Sequence, residues 1–256
     1  WDVSNVSDLS GMFLGCFNFN QALSQWDTSN VTDMSKMFEG AQSFNQNIGS
    51  WNTGSVVNMS KMFKEACSFN RNIGNWNTEN VNNMSEMFHC SVNSSFISDF
   101  NINIGDWNTS NVTNMSGMFQ GAVIFNQNIG SWDTSNVTDM SQMFKLDQLF
   151  FNSPLPDNTA FNNAGSLSIN SWDVSNVVDM TGMFSRANNF NQKLENWNLN
   201  ENVDLFGMLD RSGLDCENYS QTLIGWNNNP NTPNNKILGA TFLQYGPEAE
   251  DAVENL

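Results

Sequence analysis

Charge is scarce in this chain. Only 14% of its 256 residues are Asp, Glu, Lys or Arg, against about 25% in an average soluble protein. Cations are scarcer still: 9 Lys and Arg face 26 Asp and Glu, for a net charge of −17. Nine cations cannot build a useful basic patch, which excludes nucleic acid and anionic membrane as expected partners. There is one histidine, His89, which removes most acid–base chemistry near neutral pH. Long apolar runs are missing. The stretch 146–151 is interrupted by Asp147 and Gln148, whereas a bilayer-spanning helix needs about 20 apolar residues. No Ser/His/Asp arrangement, Gly-rich phosphate loop or zinc-type spacing occurs, so no enzyme, cofactor or metal is expected.

Aromatic and thioether side chains are abundant. With 20 Phe, 14 Met and 9 Trp, the chain has too much apolar mass to stay disordered. The Trp residues stand at 1, 26, 51, 76, 107, 132, 172, 197 and 226. Most gaps are 25; the gap after Trp76 is 31 and that after Trp132 is 40. Eight units run from Trp1 to about Leu214, the last one degenerate, with Leu205, Met208 and Leu209 in place of Met, Met and Phe. Counting Trp as position 1, apolar residues occupy positions 1, 3, 6, 9, 12, 13, 16, 19 and 23.

A 25-residue period suits a leucine-rich-type coil and is too short for helical hairpins or propeller blades. Alternation at positions 1 and 3 predicts a short strand beside the Trp. The spacing of three to four through Met-x-x-Met-Phe predicts a short helical or 3₁₀ segment. The expected fold is therefore an α/β repeat: a right-handed solenoid of about eight coils over 1–214. A parallel sheet would cover one face and short helices the other. An α/β cap over 215–256 would close it, with a helix from Asp215 to Trp226, a strand over 236–245 and a short acidic helix from Pro247 to Leu256. Two Asn ladders, at position 5 (Asn30, Asn80, Asn111) and position 20 (Asn45, Asn70, Asn126), are read as structural. Insertions at 90–99 and 152–168 account for the two long gaps.

The motif Trp26-Asp27-Thr28-Ser29-Asn30-Val31-Thr32-Asp33-Met34-Ser35-Lys36-Met37-Phe38 resembles the tandem unit of BspA-like leucine-rich-repeat surface proteins. The stretch Glu217-Asn218-Tyr219 to Gly225-Trp226 is similar to the segment that often follows those repeats. The resemblance implies a secreted, cell-surface or virion-surface location and adhesion or protein binding. It carries no catalytic residues.

Strand parity puts position 2 outward when positions 1 and 3 point in. The expected ligand face is therefore Asp27, Ser29, Asn52, Asn77, Asn108, Asp133 and Asp173. It is mildly acidic and suits an extracellular protein or glycan. A structural fibre or virion-surface component assembled by coil stacking is the alternative. The pattern is already in phase at Trp1, so the chain reads as a mature or excised portion whose open first coil self-associates or continues into further repeats. An ice-binding face is disfavoured, because position 3 exchanges Thr28 for Val3 and Leu199 and so reads as inward.

Positions 2 and 8 vary together as Asp or Asn, for example Asp133 with Asp139 and Asn52 with Asn58. Block duplication explains this better than calcium, which takes six to eight oxygens from a defined motif. Cys16 reads as a buried thiol and His89 as exposed. A disulfide between Cys67 and Cys90 is compatible with their positions, but sequence alone does not establish it.

Overall fold

The computed structural model describes residues 1–91, 97–147 and 159–255. Each repeat is a succession of β-turns. In the unit that begins at Trp26, i→i+3 backbone bonds of 2.9–3.3 Å run from Val31 N to Thr28 O, Met37 N to Met34 O, Ala41 N to Phe38 O, Phe44 N to Ala41 O and Trp51 N to Ile48 O. Their ends are positions 3/6, 9/12, 13/16, 16/19 and 23/1, which together make up the complete apolar set. A β-turn brings its first and fourth residues close together. Apolar residues three apart therefore meet on the inside, and the central residues face water.

The expected α/β architecture is overturned by this geometry. Among the described residues there is no strand and no sheet. Successive coils touch through isolated parallel bridges at position 8, from Asp8↔Asp33 through to Asp179↔Asp204. Around each Trp, backbone N–H groups close turns within the coil. There the Thr28 hydroxyl, rather than a backbone donor, reaches the next coil, at Asn52 O, 2.9 Å away. Met-x-x-Met-Phe is not helical either. Position 11 is left-handed in all eight coils, with φ from +52° at Glu86 to +65° at Gly207, and an α-helix tolerates no such residue. The N–H groups at positions 9, 11, 13 and 15 point to the next coil, as in Met34 N to Asn58 O (3.0 Å), Lys36 N to Ser60 O (2.9 Å), Phe38 N to Met62 O (2.9 Å) and Gly40 N to Lys64 O (2.7 Å).

This register stacks the core in columns. Neighbouring position-13 rings, from Phe13–Phe38 to Phe144–Phe184, lie 5.4–5.8 Å apart. Each also pairs with the position-19 ring of its own coil, as Phe38 does with Phe44 at 3.9 Å. Trp51, Trp76, Trp107, Trp132, Trp172 and Trp197 are buried, Trp26 is half-buried and Trp1 is exposed. Indole N–H groups donate to position-23 carbonyls of the adjacent coil, Trp76 Nε1 to Ile48 O at 3.2 Å for instance. Trp172 Nε1 makes no such bond; it follows the longer insertion, where Asn163–Gly165 and Leu167–Ser171 form two 3₁₀ turns.

The ladder of Asn at position 20 passes through that insertion. Asn162, which the period alone does not locate, accepts Asn191 N (3.1 Å) and sends its own N–H to Asn126 Oδ1 (2.9 Å). Position 15 is left-handed in six coils, for example Gly40 (+74°) and Arg186 (+62°). In the two coils that carry insertions it is Cys90 and Leu146, neither of them left-handed among the described residues. Residues 92–96 and 152–158, which belong to the two expected insertions, lie outside the described residues.

Helix α1, Cys216–Asn228, forms as expected, with the Asp215 carboxylate capping Asn218 N. Trp226 on α1 extends the Trp column and donates to Leu194 O at 2.9 Å. Pro247–Ala249 is a 3₁₀ turn leading into α2, Glu250–Asn255. The expected strand over 236–245 is instead a partial ninth coil. Leu209 N and Arg211 N donate to Gly239 O and Thr241 O, and Leu243 N closes a turn on Ala240 O. Phe242 supplies the left-handed residue at φ +75°. Gly239 takes a Met position because a Cβ there would collide with the Gly207 backbone.

Two substitutions test this fold. Trp76→Ala should destabilise by about 3–5 kcal/mol in denaturant titrations. Lys36→Gly should stabilise by roughly 0.5–1 kcal/mol, because Lys36 is left-handed (φ +57°) and exposed. In a helix the same change would destabilise by about 1 kcal/mol.

Candidate ligand-binding face

In the first seven coils position 2 is exposed. Its side-chain Oδ1 accepts the backbone N–H two residues on, in a local Asx turn. The distances are 3.0 Å for Asp27–Ser29, 3.1 Å for Asn52–Gly54, Asn77–Glu79 and Asn108–Ser110, and 3.0 Å for Asp133–Ser135 and Asp173–Ser175. Where Ser follows, its hydroxyl donates to the same oxygen at 2.6–2.7 Å. These two donors, the hydroxyl first, hold the Asp27 and Asp133 carboxyls below the usual carboxylate range.

The expected site residues do lie together. Asp27, Asn52, Asn77, Asn108, Asp133 and Asp173 are exposed and Ser29 is half-buried. Thr28, Thr53, Thr78, Thr109 and Thr134, one residue on, are only 1% exposed. Inward–outward alternation thus survives without a strand, carried by turn ends. Adjacent coils are tied by Asn30 Nδ2 to Ser4 O, Asn80 Nδ2 to Gly54 O and Asn136 Nδ2 to Ser110 O, each 2.7 Å.

Position 8 repeats the Asx geometry, with Ser35 N to Asp33 Oδ1 at 2.7 Å and Ser60 N to Asn58 Oδ1 at 3.0 Å. Asp and Asn present the same acceptor, which is why they interchange at positions 2 and 8. Where they meet, the amide bonds the carboxylate, as Asn58 Nδ2 does to Asp33 Oδ2 at 3.2 Å. Neither position gathers three metal-capable groups among the described residues; Glu65, Cys67 and Cys90 do.

A second polar cluster escaped the sequence reading. Positions 11 and 14 align Lys61 with Glu86, and Lys64 with His89, Gln120 and Lys145. Lys61 and Lys64 both pair with Glu86. Burial pushes the Glu86 carboxyl up, but the hydrogen bonds from Lys64 and Lys61 outweigh it and bring the group down to about 2. His89, expected to be exposed, is buried at 8%, with Nδ1 3.4 Å from Glu86 Oε2 and Nε2 3.4 Å from Ser91 Oγ. Cys67 and Cys90 form a disulfide. Cys16, expected to be buried, is exposed, because the first coil has a neighbour on one side only. Tabulating position 14 coil by coil would have shown the cluster's alignment, though not the burial of His89.

Two predictions follow from these acceptors. Glu86 has a depressed pKa, so its contribution is fully present above its unfolded pKa of about 4.3 and is lost as pH falls through about 2. Glu86→Gln should flatten the pH dependence of denaturant midpoints across that window. At position 2, Asp133→Ala should destabilise by about 0.5–2 kcal/mol, as loss of a cap does, whereas Asp133→Asn should be nearly neutral.

No curated protein and no solved structure matches the chain. A family model does, in three tandem segments, residues 1–98, 94–163 and 156–241, as expected of a repeat protein. Together these segments span most of the chain, which belongs to the family described as "Mycoplasma protein of unknown function, DUF285".

Proposed function

We propose that this repeat protein is an extracellular or cell-surface recognition module, akin to the BspA-like surface proteins its repeat resembles. In this reading it binds a basic or hydroxyl-rich protein or glycan through positions 2, 4 and 25. The observation that carries the reading is that the charge on this face is not needed by the fold. Asn52, Asn77 and Asn108 close the same turns as Asp27, Asp133 and Asp173, yet the latter remain carboxylates, exposed and in register. No Lys or Arg occurs at these three positions in any coil. The Asx turns and inter-coil bonds also fix the face in advance, which lowers the ordering cost of association. The Cys67–Cys90 disulfide supports an oxidising, extracellular setting.

The test uses Asp27→Asn, Asp133→Asn and Asp173→Asn in one chain, which removes charge and keeps every acceptor. Stability should stay within about 0.5 kcal/mol. In a screen of purified matrix proteins and neutral glycans, the wild-type chain should bind at least one member. The triple variant should bind it about tenfold more weakly, with reduced salt dependence. Equal binding by both chains, or no binder in the panel, would count against this face.

A further inference from the structure

Glu65, Cys67 and Cys90 place a carboxylate oxygen and two sulfurs within 4.8 Å of one another. Both sulfurs are buried, and in the structure they are joined as a disulfide with a Cα–Cα separation of 5.7 Å. A structural disulfide requires no carboxylate beside it. Glu65 nevertheless stands where other coils have Gly15, Gly40 or Gly121, in a left-handed conformation (φ +58°), with its carboxylate held by Ser91 N at 3.1–3.2 Å. His89 Nε2 lies 4.0 Å from Glu65 Oε1, and its Nδ1 faces Glu86.

We propose that Cys67, Cys90 and Glu65 form a redox-gated site for a thiophilic divalent cation such as Zn²⁺. Disulfide and cation exclude each other, since a sulfur bonded to sulfur is not a thiolate. In a tetrahedral site, donors about 2.0–2.3 Å from the ion lie roughly 3.3–3.8 Å apart; the two sulfurs, released from their bond, must separate to reach that spacing, and a Glu65 oxygen already lies within 4.8 Å of both. Two thiolates select a zinc-like ion over Ca²⁺ or Mg²⁺. The ligand backbone does not depend on the disulfide for its position. Glu65 N is bonded to His89 O (2.7 Å), Cys90 N to Gln120 O (3.0 Å) and Asp99 N to Cys67 O (2.8 Å). Opening the site with a phosphine consumes one water: the phosphine becomes its oxide, and the disulfide accepts two electrons and two protons to give two thiols. Binding of M²⁺ then releases both thiol protons.

The experiment uses the full chain with Cys16→Ser and Cys216→Ser, so that only the paired cysteines remain. It is reduced with a water-soluble phosphine, desalted anaerobically and titrated with Co²⁺, then Zn²⁺. The expected result is one Co²⁺ per chain, thiolate-to-cobalt charge-transfer absorption, tetrahedral d–d bands, and displacement by Zn²⁺. The oxidised chain and Cys67→Ser/Cys90→Ser should show none of these signals. Glu65→Gln should weaken Zn²⁺ at least tenfold in chelator competition. Cobalt bound without charge transfer, equal binding by the oxidised chain or the double Ser variant, or an unchanged Glu65→Gln affinity would each overturn the proposal. So would a reduced chain whose near-UV circular dichroism is lost and is not restored by Zn²⁺. The outcome is independent of the ligand face, which uses none of these residues.

Discussion

Alternate N–H groups at positions 9, 11, 13 and 15 of each coil are donated to carbonyls 8, 10, 12 and 14 of the next, and the rest of the structure depends on that register. It allows no slip, because position 11 must be left-handed for its neighbours to aim along the stack. Gly11, Gly117, Gly182 and Gly207 meet that demand without strain. Lys36, Lys61, Glu86 and Gln142 meet it at a conformational cost, offset by bonds to the adjacent coil.

Once the register holds, side chains of one type meet their own kind. Phe packs on Phe, and Trp26 packs on Trp51 with rings 6.2 Å apart and 5° from parallel. Each large ring buries on the order of 150–250 Å², but only if another coil covers it. Polar positions obey the same logic. Thr at position 3 and Asn at positions 5 and 20 each reach a backbone group one coil away, so few buried polar groups go unpaired among the described residues. The fold is held as much by these side-chain bridges as by backbone bonds, which is why a stack of turns can dispense with strands.

Departures from the repeat are where individual chemistry appears. Cys90 ends its coil's regular path at the residue that elsewhere turns left-handed, and the chain beyond it brings Ser91 to Glu65 and Asp99 to Cys67. The same coil supplies Glu86 and His89. The disulfide, the buried histidine and the ion pairs of Glu86 therefore lie close to one another. The face at position 2 stays regular and differs between coils only in charge.

The 25-residue period, the inward set of apolar positions, the outward run from Asp27 to Asp173 and the capping helix after Asp215 were all legible in the sequence. Each depends on local pattern: a turn, a cap or an alternation shows itself within a few residues. Whether the coils were strands and helices or turns was not legible, because apolar residues three apart mark a helix face and the ends of a β-turn equally well. The sign of φ at Lys36 or Gln142 would have decided it, but neither residue type signals a left-handed conformation. The ninth coil at 239–243 was hidden because its only mark is a Gly pressed against Gly207. The burial of His89 and the meeting of Cys67, Cys90 and Glu65 belong to the tertiary structure, since they arise only when one coil is laid in register on the next.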